Sequence, residues 1–315
     1  MELAIGFLAV ALIILTGRND GSTLAATALK GDKKSDLFVL ITITVCVPIA
    51  PLLGLHGVAS SLSHMLGPLF GEYTSTLGFL GSVLITLGIS VALSVPTSIT
   101  LALVGALTGT LLGTQGSANL GLVGRVLTIA AIAPLVAALV SYLISKAPLK
   151  FPNDPQARGN LLNRIRGVSI TALAIAYSIN DGQKITFIAA ATLQLSITQA
   201  STSIWVQISA TLLFAAGMLW GLRKAERTLR NGIFSPTPLP ALWSQIGTIV
   251  ALSGGAALGT PLSMTQSLQG AVLGTGLVRG TRVIRWPAVG KIAIAWLWTL
   301  PLATALAYGF SFILN

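Results

Sequence analysis

A chain of 315 residues in which 53% are hydrophobic and only 9% charged, with a mean hydropathy of +0.84, cannot be a soluble globule. It reads as an integral membrane protein. Its net charge of +11 comes with no basic stripe interleaved with aromatics, which argues against a nucleic-acid partner.

The first predicted segment, 1–29, carries no Lys or Arg before Arg18. It lacks the basic start of a cleaved signal peptide and is expected to stay in the mature chain. Apolar runs at 37–55, 77–93, 122–144, 204–222, 242–258 and 292–314 approach or reach the roughly 20 residues that cross a bilayer as helix. The single cysteine, Cys46, lies inside one of these runs and is expected to be a packing residue. His56 and His64 fall in a connection between runs and read as loop residues. Gly105, Gly109 and Gly113, and again Gly270 and Gly274, recur at four-residue spacing, the pattern of closely packed membrane helices.

Sixteen of the nineteen basic residues fall in four clusters: Lys30 to Lys34, Lys146 to Arg166, Arg223 to Arg230 and Arg279 to Lys291. Positive-inside bias places all four in the cytoplasm. Starting outside, segments 1–29 and 37–56 then run in and out, the pair 76–113 leaves and returns to the outer side, and 122–144 runs inward. Segments 167–199 and 204–222 run out and in, the pair 241–278 returns to the inner side, and 290–313 exits. Arg18 and Lys184 fall inside membrane segments, and the Pro-rich basic loop 223–240 is expected to be solvated. The predicted fold is all-α, an inverted-topology repeat with broken helices and re-entrant hairpins at 76–113 and 241–278. Its N-terminal membrane repeat is 1–145, its cytoplasmic linker 146–166 and its C-terminal inverted repeat 167–315. The expected location is the cytoplasmic (inner) membrane, multi-pass, with surfaces that permit a homodimer without requiring one.

Two motifs return in both halves. Val95 to Gly109 and Thr260 to Gly274 share seven of fifteen residues at an offset of 165, among them Pro96/Pro261, Ser98/Ser263 and Thr100/Thr265. Proline suits the first helical position, and the hydroxyls then lie beside unpaired N–H groups at the positive helix end, an arrangement that binds oxyanions. The alternative is that these hydroxyls merely cap their helices. The second motif is Asn19-Asp20-Gly21 and Asn180-Asp181-Gly182, at an offset of 161 and in otherwise apolar segments. Ionisable residues at membrane depth mark ion or substrate pathways, and carboxylate and amide oxygens beside unwound carbonyls suit Na⁺. A carboxylate alone could carry a proton. The competing reading pairs Asp20 with Arg18, and Asp181 with Lys184, as structural ion pairs.

Four motifs in this order resemble the inorganic phosphate transporter family, whose halves each carry G-A-N-D and P-I/V-S-T-T-H-A-x-x-G. Here they read Gly17-Arg18-Asn19-Asp20, Asn180-Asp181-Gly182-Gln183-Lys184, Pro96 to Ala102 and Pro261 to Ser267. The resemblance implies a secondary transporter importing phosphate by alternating access, coupled to Na⁺ or H⁺ and without a cofactor. It places Ser98, Thr100, Ser263 and Thr265 on the anion, and Asn19, Asp20, Asn180 and Asp181 on the coupling cation, with Asp20 and Asp181 also reaching the anion. Arg18 and Lys184 are read as candidate substrate contacts, the alternative being that each neutralises its neighbouring aspartate or snorkels to an interface.

The chain departs from that pattern. Ile99 and Met264 replace the middle threonine, Leu101 and Gln266 replace the histidine, and Arg18 replaces a small residue. Arg18 could therefore stand in for one coupling cation and weaken Na⁺ dependence. Sulfate is the alternative substrate, though the two aspartates favour an anion that carries a proton. Neither histidine lies near the motifs, so an enzyme acting on phosphate esters is disfavoured.

The topology is testable by labelling. In a Cys46→Ala background, Lys146→Cys is expected to react with an impermeant maleimide only from the cytoplasm and His64→Cys only from outside; labelling from one common side would overturn the assignment.

Overall fold

The computed structural model describes residues 1–29, 32–69, 72–93, 97–114, 120–147 and 152–314, and among these every regular element is helical. Lys30, Pro96, Pro148 and Lys150, which figure in the charge and helix-start readings, lie outside the described residues. In the first half, α1 (Glu2–Thr16) passes through a π-helical turn (Gly17–Gly21) into α2 (Ser22–Ala26). Then come α3 (Lys33–Cys46), α4 (Ile49–Leu52), α5 (Gly57–Leu66), α6 (Tyr73–Ala92), α7 (Ile99–Gly113) and α8 (Leu120–Lys146). The second half follows: α9 (Pro155–Tyr177), a π-helical turn (Ser178–Gly182) and α10 (Gln183–Leu193) lead to α11 (Ile197–Thr202) and α12 (Ile204–Asn231). It closes with α13 (Pro238–Ala257), α14 (Met264–Val278) and α15 (Trp286–Leu314).

Among the described residues, six stretches are long and apolar enough to cross a membrane: Glu2–Ala26, Lys33–Leu52, Tyr73–Ala92, Leu120–Lys146, Ile204–Asn231 and Trp286–Leu314. The predicted run 242–258 lies on α13, which buries Ser244, Gln245 and Thr248 and is correspondingly less apolar. Exterior and interior are distributed as a bilayer demands. Leu3, Leu297, Trp298 and Phe312 face outward at 92%, 74%, 67% and 80% exposure, whereas many serines, threonines and both Asn-Asp aspartates are buried.

Three connections are more ordered than their composition implies. The linker shortens because Asp154 caps α9, its carboxylate accepting from Ala157 N at 2.6 Å, with Pro155 in the first helical turn. Residues 155–166 are therefore helix. The basic stretch 223–231 continues α12 rather than forming a solvated loop, and Arg285 donates to the carbonyls of Arg230 and Gly232 beyond it. The connection after His56 folds into α5, so His64 is helical; the amides of Val58 and Ala59 at its start donate to Gln183 Oε1 at 2.8 and 3.2 Å.

The halves interlock. Helix α7 packs chiefly on α15, and α14 chiefly on α8, so each half's post-motif helix leans on the other half's last helix. The repeated glycines make this approach: a Cβ at Gly105 or Gly109 would overlap the carbonyls of Leu300 or Thr304, and one at Gly270 or Gly274 those of Pro134 or Ala138. Both α8 and α15 carry an internal proline, Pro134 and Pro301. Gly109→Leu and Gly274→Leu are expected to cost at least about 1–3 kcal/mol from overpacking. Gly88→Ala, with open space around it, is expected to be neutral or better in the same thermal-unfolding assay in detergent.

Candidate functional site

Helices α7 and α14 start at the same place. Ser98 is the N-cap of α7, its hydroxyl accepting from Leu101 N at 3.2 Å, and Ser263 is the N-cap of α14, accepting from Gln266 N at 3.4 Å. The expected proline at the first helical position is thus corrected: Pro261 lies two residues before the cap, because a serine oxygen serves an orphan N–H better than proline can. The next hydroxyls cross between the halves. Thr100 donates to the Leu262 carbonyl, just before α14, at 2.9 Å; Thr265 donates to the Thr97 carbonyl, just before α7, at 3.3 Å. Ser98 reaches Gln266 Oε1 at 3.4 Å, and Ser263 lies 3.0 Å from the Thr265 hydroxyl. Two positive helix ends therefore face one small polar volume.

The Asn-Asp motifs sit on the π-helical turns, and the helices are widened there rather than broken. Gly17 and Ser22 keep right-handed helical dihedrals, so no unwound segment presents bare carbonyls. The first widened turn is closed by hydroxyls instead, Ser22 donating to the Arg18 carbonyl and Thr23 to that of Asn19 at 2.5 Å; in the second the Gln183 side-chain amide donates to the Ile179 carbonyl. Each asparagine ties its turn to a helix start. Asn19 Nδ2 donates to the Thr97 carbonyl at 3.3 Å and to Asp20 Oδ1 at 2.8 Å. Asn180 donates to the Thr260 carbonyl at 3.1 Å and accepts from Leu262 N at 3.0 Å.

The two cations behave differently. Lys184, 2% exposed, donates to Asp181 Oδ1 at 2.5 Å, to Thr100 Oγ1 at 2.7 Å and to the Leu262 carbonyl. It is the ion-pair partner of Asp181, whose Oδ2 is buried without a hydrogen-bond partner among the described residues. Arg18 makes no ion pair with Asp20 among the described residues; its guanidinium lies 4.1 Å from the Trp220 ring centroid. It lines a cleft of about 90 Å³ with Asn19, Thr97, Lys224, Thr265 and Gln269. That cleft runs from the basic end of α12 to the crossed helix starts.

The structure thus gathers Ser98, Thr100, Ser263, Thr265, Asn19, Asp20, Asn180, Asp181 and Lys184 around one centre, with Arg18 at its cleft. Sequence reasoning missed Gln183, Gln266, Thr97 and Ser178. Ser178 donates to the Val47 carbonyl at 2.8 Å and accepts from Ala50 N at 2.9 Å, pinning the second π-turn to the chain around Pro48. The position of Gln183 beside the Asn-Asp-Gly triplet, and of Gln266 in place of a histidine, were the available signals.

Asp181→Asn leaves a buried ammonium without its counter-ion and is expected to cost about 3–5 kcal/mol. Adding Lys184→Met should recover much of that loss in thermal unfolding; failure of the double variant to recover would remove the ion pair as the cause.

The comparisons with known proteins agree with this architecture. A model of the phosphate transporter family matches residues 149–307. A "probable low-affinity inorganic phosphate transporter" of Mycobacterium bovis is 31% identical over 191 residues, covering 58% of this chain and 45% of that protein. One of Bacillus subtilis with the same description is 24% identical over 207 residues, 64% of this chain and 62% of that protein. The chain spans about half the length of the Mycobacterium relative that it matches. A solved structure described as the sodium-dependent phosphate transporter superposes with a TM-score of 0.76 over 99% of this chain and 98% of its own, at 16% identity, which establishes a shared fold. With half the chain matched by the family model and the whole fold shared, this multi-pass membrane protein belongs to the phosphate transporter family.

Proposed function

We propose that the protein is a secondary transporter that imports inorganic phosphate across the cytoplasmic membrane, by alternating access around the centre where α7 and α14 begin. The observation that carries this reading is the pair of hydroxyl-capped helix starts, crossed through Thr100 and Thr265, beside the Asn-Asp turns. Oriented N–H groups and hydroxyls donate to oxyanion oxygens without a net counter-charge, so the anion can be bound and released. Ser98, Thr100, Ser263 and Thr265 are the anion ligands in this reading. Asp20 and Asp181, with Asn19 and Asn180, serve the coupling cation, and the two carboxylates accept a hydrogen bond from the P–OH of a protonated phosphate. Arg18 and Lys224, which line the cleft beside the basic end of α12, draw the anion toward the centre.

The halves 1–145 and 155–315 are the two moving repeats, of opposite orientation. In each, the first hairpin arm is 20 residues, roughly 30 Å and a full crossing, whereas the second is 15 residues, roughly 22 Å. That inequality supports hairpins whose second arms begin at depth. The coupling ion is Na⁺ or H⁺.

Uptake of radiolabelled phosphate into proteoliposomes, in matched Na⁺ and choline media at two external pH values with excess sulfate, tests the reading. Uptake is expected to resist sulfate and to fall at least tenfold in Thr100→Val with Thr265→Val, roughly 1.4 kcal/mol or more of lost oxyanion contacts. Sulfate uptake in place of phosphate would overturn it.

A further inference from the structure

Resting on the phosphate-carrier reading, one more role follows from where Lys184 points. Its ammonium is held by a carboxylate oxygen of Asp181 at 2.5 Å, the hydroxyl of Thr100 at 2.7 Å and the carbonyl of Leu262. Carboxylate, hydroxyl and backbone carbonyl are hard oxygen ligands, the set that receives a desolvated alkali cation. The lysine occupies such a set with its own positive charge.

The internal repeat supplies a control. Asp20 corresponds to Asp181, Thr97 to Leu262 and Thr265 to Thr100, while the counterpart of Lys184 is Thr23. The first half therefore offers the same three ligand types with no tethered cation among them. Thr23 turns its hydroxyl back to the Asn19 carbonyl at 2.5 Å. What bridges Asp20 and the Thr97 carbonyl is the neutral Asn19 amide, 2.8 Å from the carboxylate and 3.3 Å from the carbonyl. An amide cannot neutralise a carboxylate. Arg18 does not do so either, since its guanidinium lies over Trp220. The buried centre thus holds two carboxyl groups and one ammonium, leaving Asp20 without a fixed cationic partner among the described residues.

We infer that Lys184 is a tethered coupling cation: it permanently fills the second-half cation position, so that only the first-half position at Asp20 is filled from solution in each cycle. The carrier then takes up one cation fewer per phosphate than a protein with both positions open.

Equilibrium binding of radiolabelled Na⁺ to the purified full chain in detergent, at pH 8, tests this without requiring transport. Lys184→Thr, which copies the first-half residue, is expected to bind one more Na⁺ per chain than the wild type and to gain thermal stability from Na⁺. Lys184→Arg, which keeps the charge, is expected to gain none. The reverse exchange, Thr23→Lys, is read by phosphate uptake, which should lose its dependence on an external Na⁺ or pH gradient. A folded Lys184→Thr protein that binds no additional Na⁺ overturns the inference. So does Thr23→Lys uptake with wild-type cation dependence, which decides the matter if Lys184→Thr does not fold. If the extra Na⁺ is bound but the wild type carries no phosphate, the transport reading and the coupling role fail, while the occupancy of the second-half cation position by Lys184 stands.

Discussion

Two helices that begin at one point, each donating a hydroxyl to the carbonyl preceding the other, hold this protein together at its centre. The bond from Thr100 to Leu262 and that from Thr265 to Thr97 link residues more than 160 positions apart, so neither half can form the centre alone. Bringing two positive helix ends together is unfavourable in itself. The aspartates on the neighbouring π-turns supply negative charge beside them, and the asparagines bond directly to the segments before the caps. Folding and the proposed ligand chemistry thus draw on the same few groups.

The π-turns explain how carboxylates are carried at membrane depth. A broken helix would expose backbone groups that have no partner in a bilayer. A widened turn keeps the chain helical, and Ser22 and Thr23 take up the carbonyls that it frees. The approach of α12 is equally specific. A Cβ at Gly17 or Gly217 would overlap the backbone of the facing segment, at Phe214 and Ile14. A sequence of small residues therefore brings two backbones together where bulky side chains would hold them apart.

Against this symmetry, the differences between the halves gain meaning. Lys184 sits in its centre while Thr23 folds away; Gln183 both closes its own turn and caps α5, whereas its counterpart Ser22 only closes its turn; Gln266 accepts from Ser98, whereas its counterpart Leu101 is apolar. The duplicated scaffold makes two equivalent positions, and single substitutions make them unequal.

Much of the fold was legible because membrane helices are written in long apolar runs, and duplicated motifs announce themselves without reference to another protein. The glycine spacing at 105, 109, 270 and 274 correctly indicated close packing, since only glycine lets two helix backbones touch. The alternation of basic clusters carried the proposed orientation of the repeats. Other features lay beyond any local signal. Whether the serines cap or the prolines start their helices depended on which group could reach an orphan amide. Whether Arg18 or Lys184 would enter the centre depended on which side chain found oxygen ligands and which found Trp220, a partner two hundred residues away. The sequence by itself determined the all-helical membrane class, the duplication and the residues that gather at the motifs, because period, hydropathy and repetition are local properties of a chain. The tertiary structure alone decided which of those residues face one another and with what charge, because hydrogen-bond partners across a membrane core are set by packing between segments far apart in sequence.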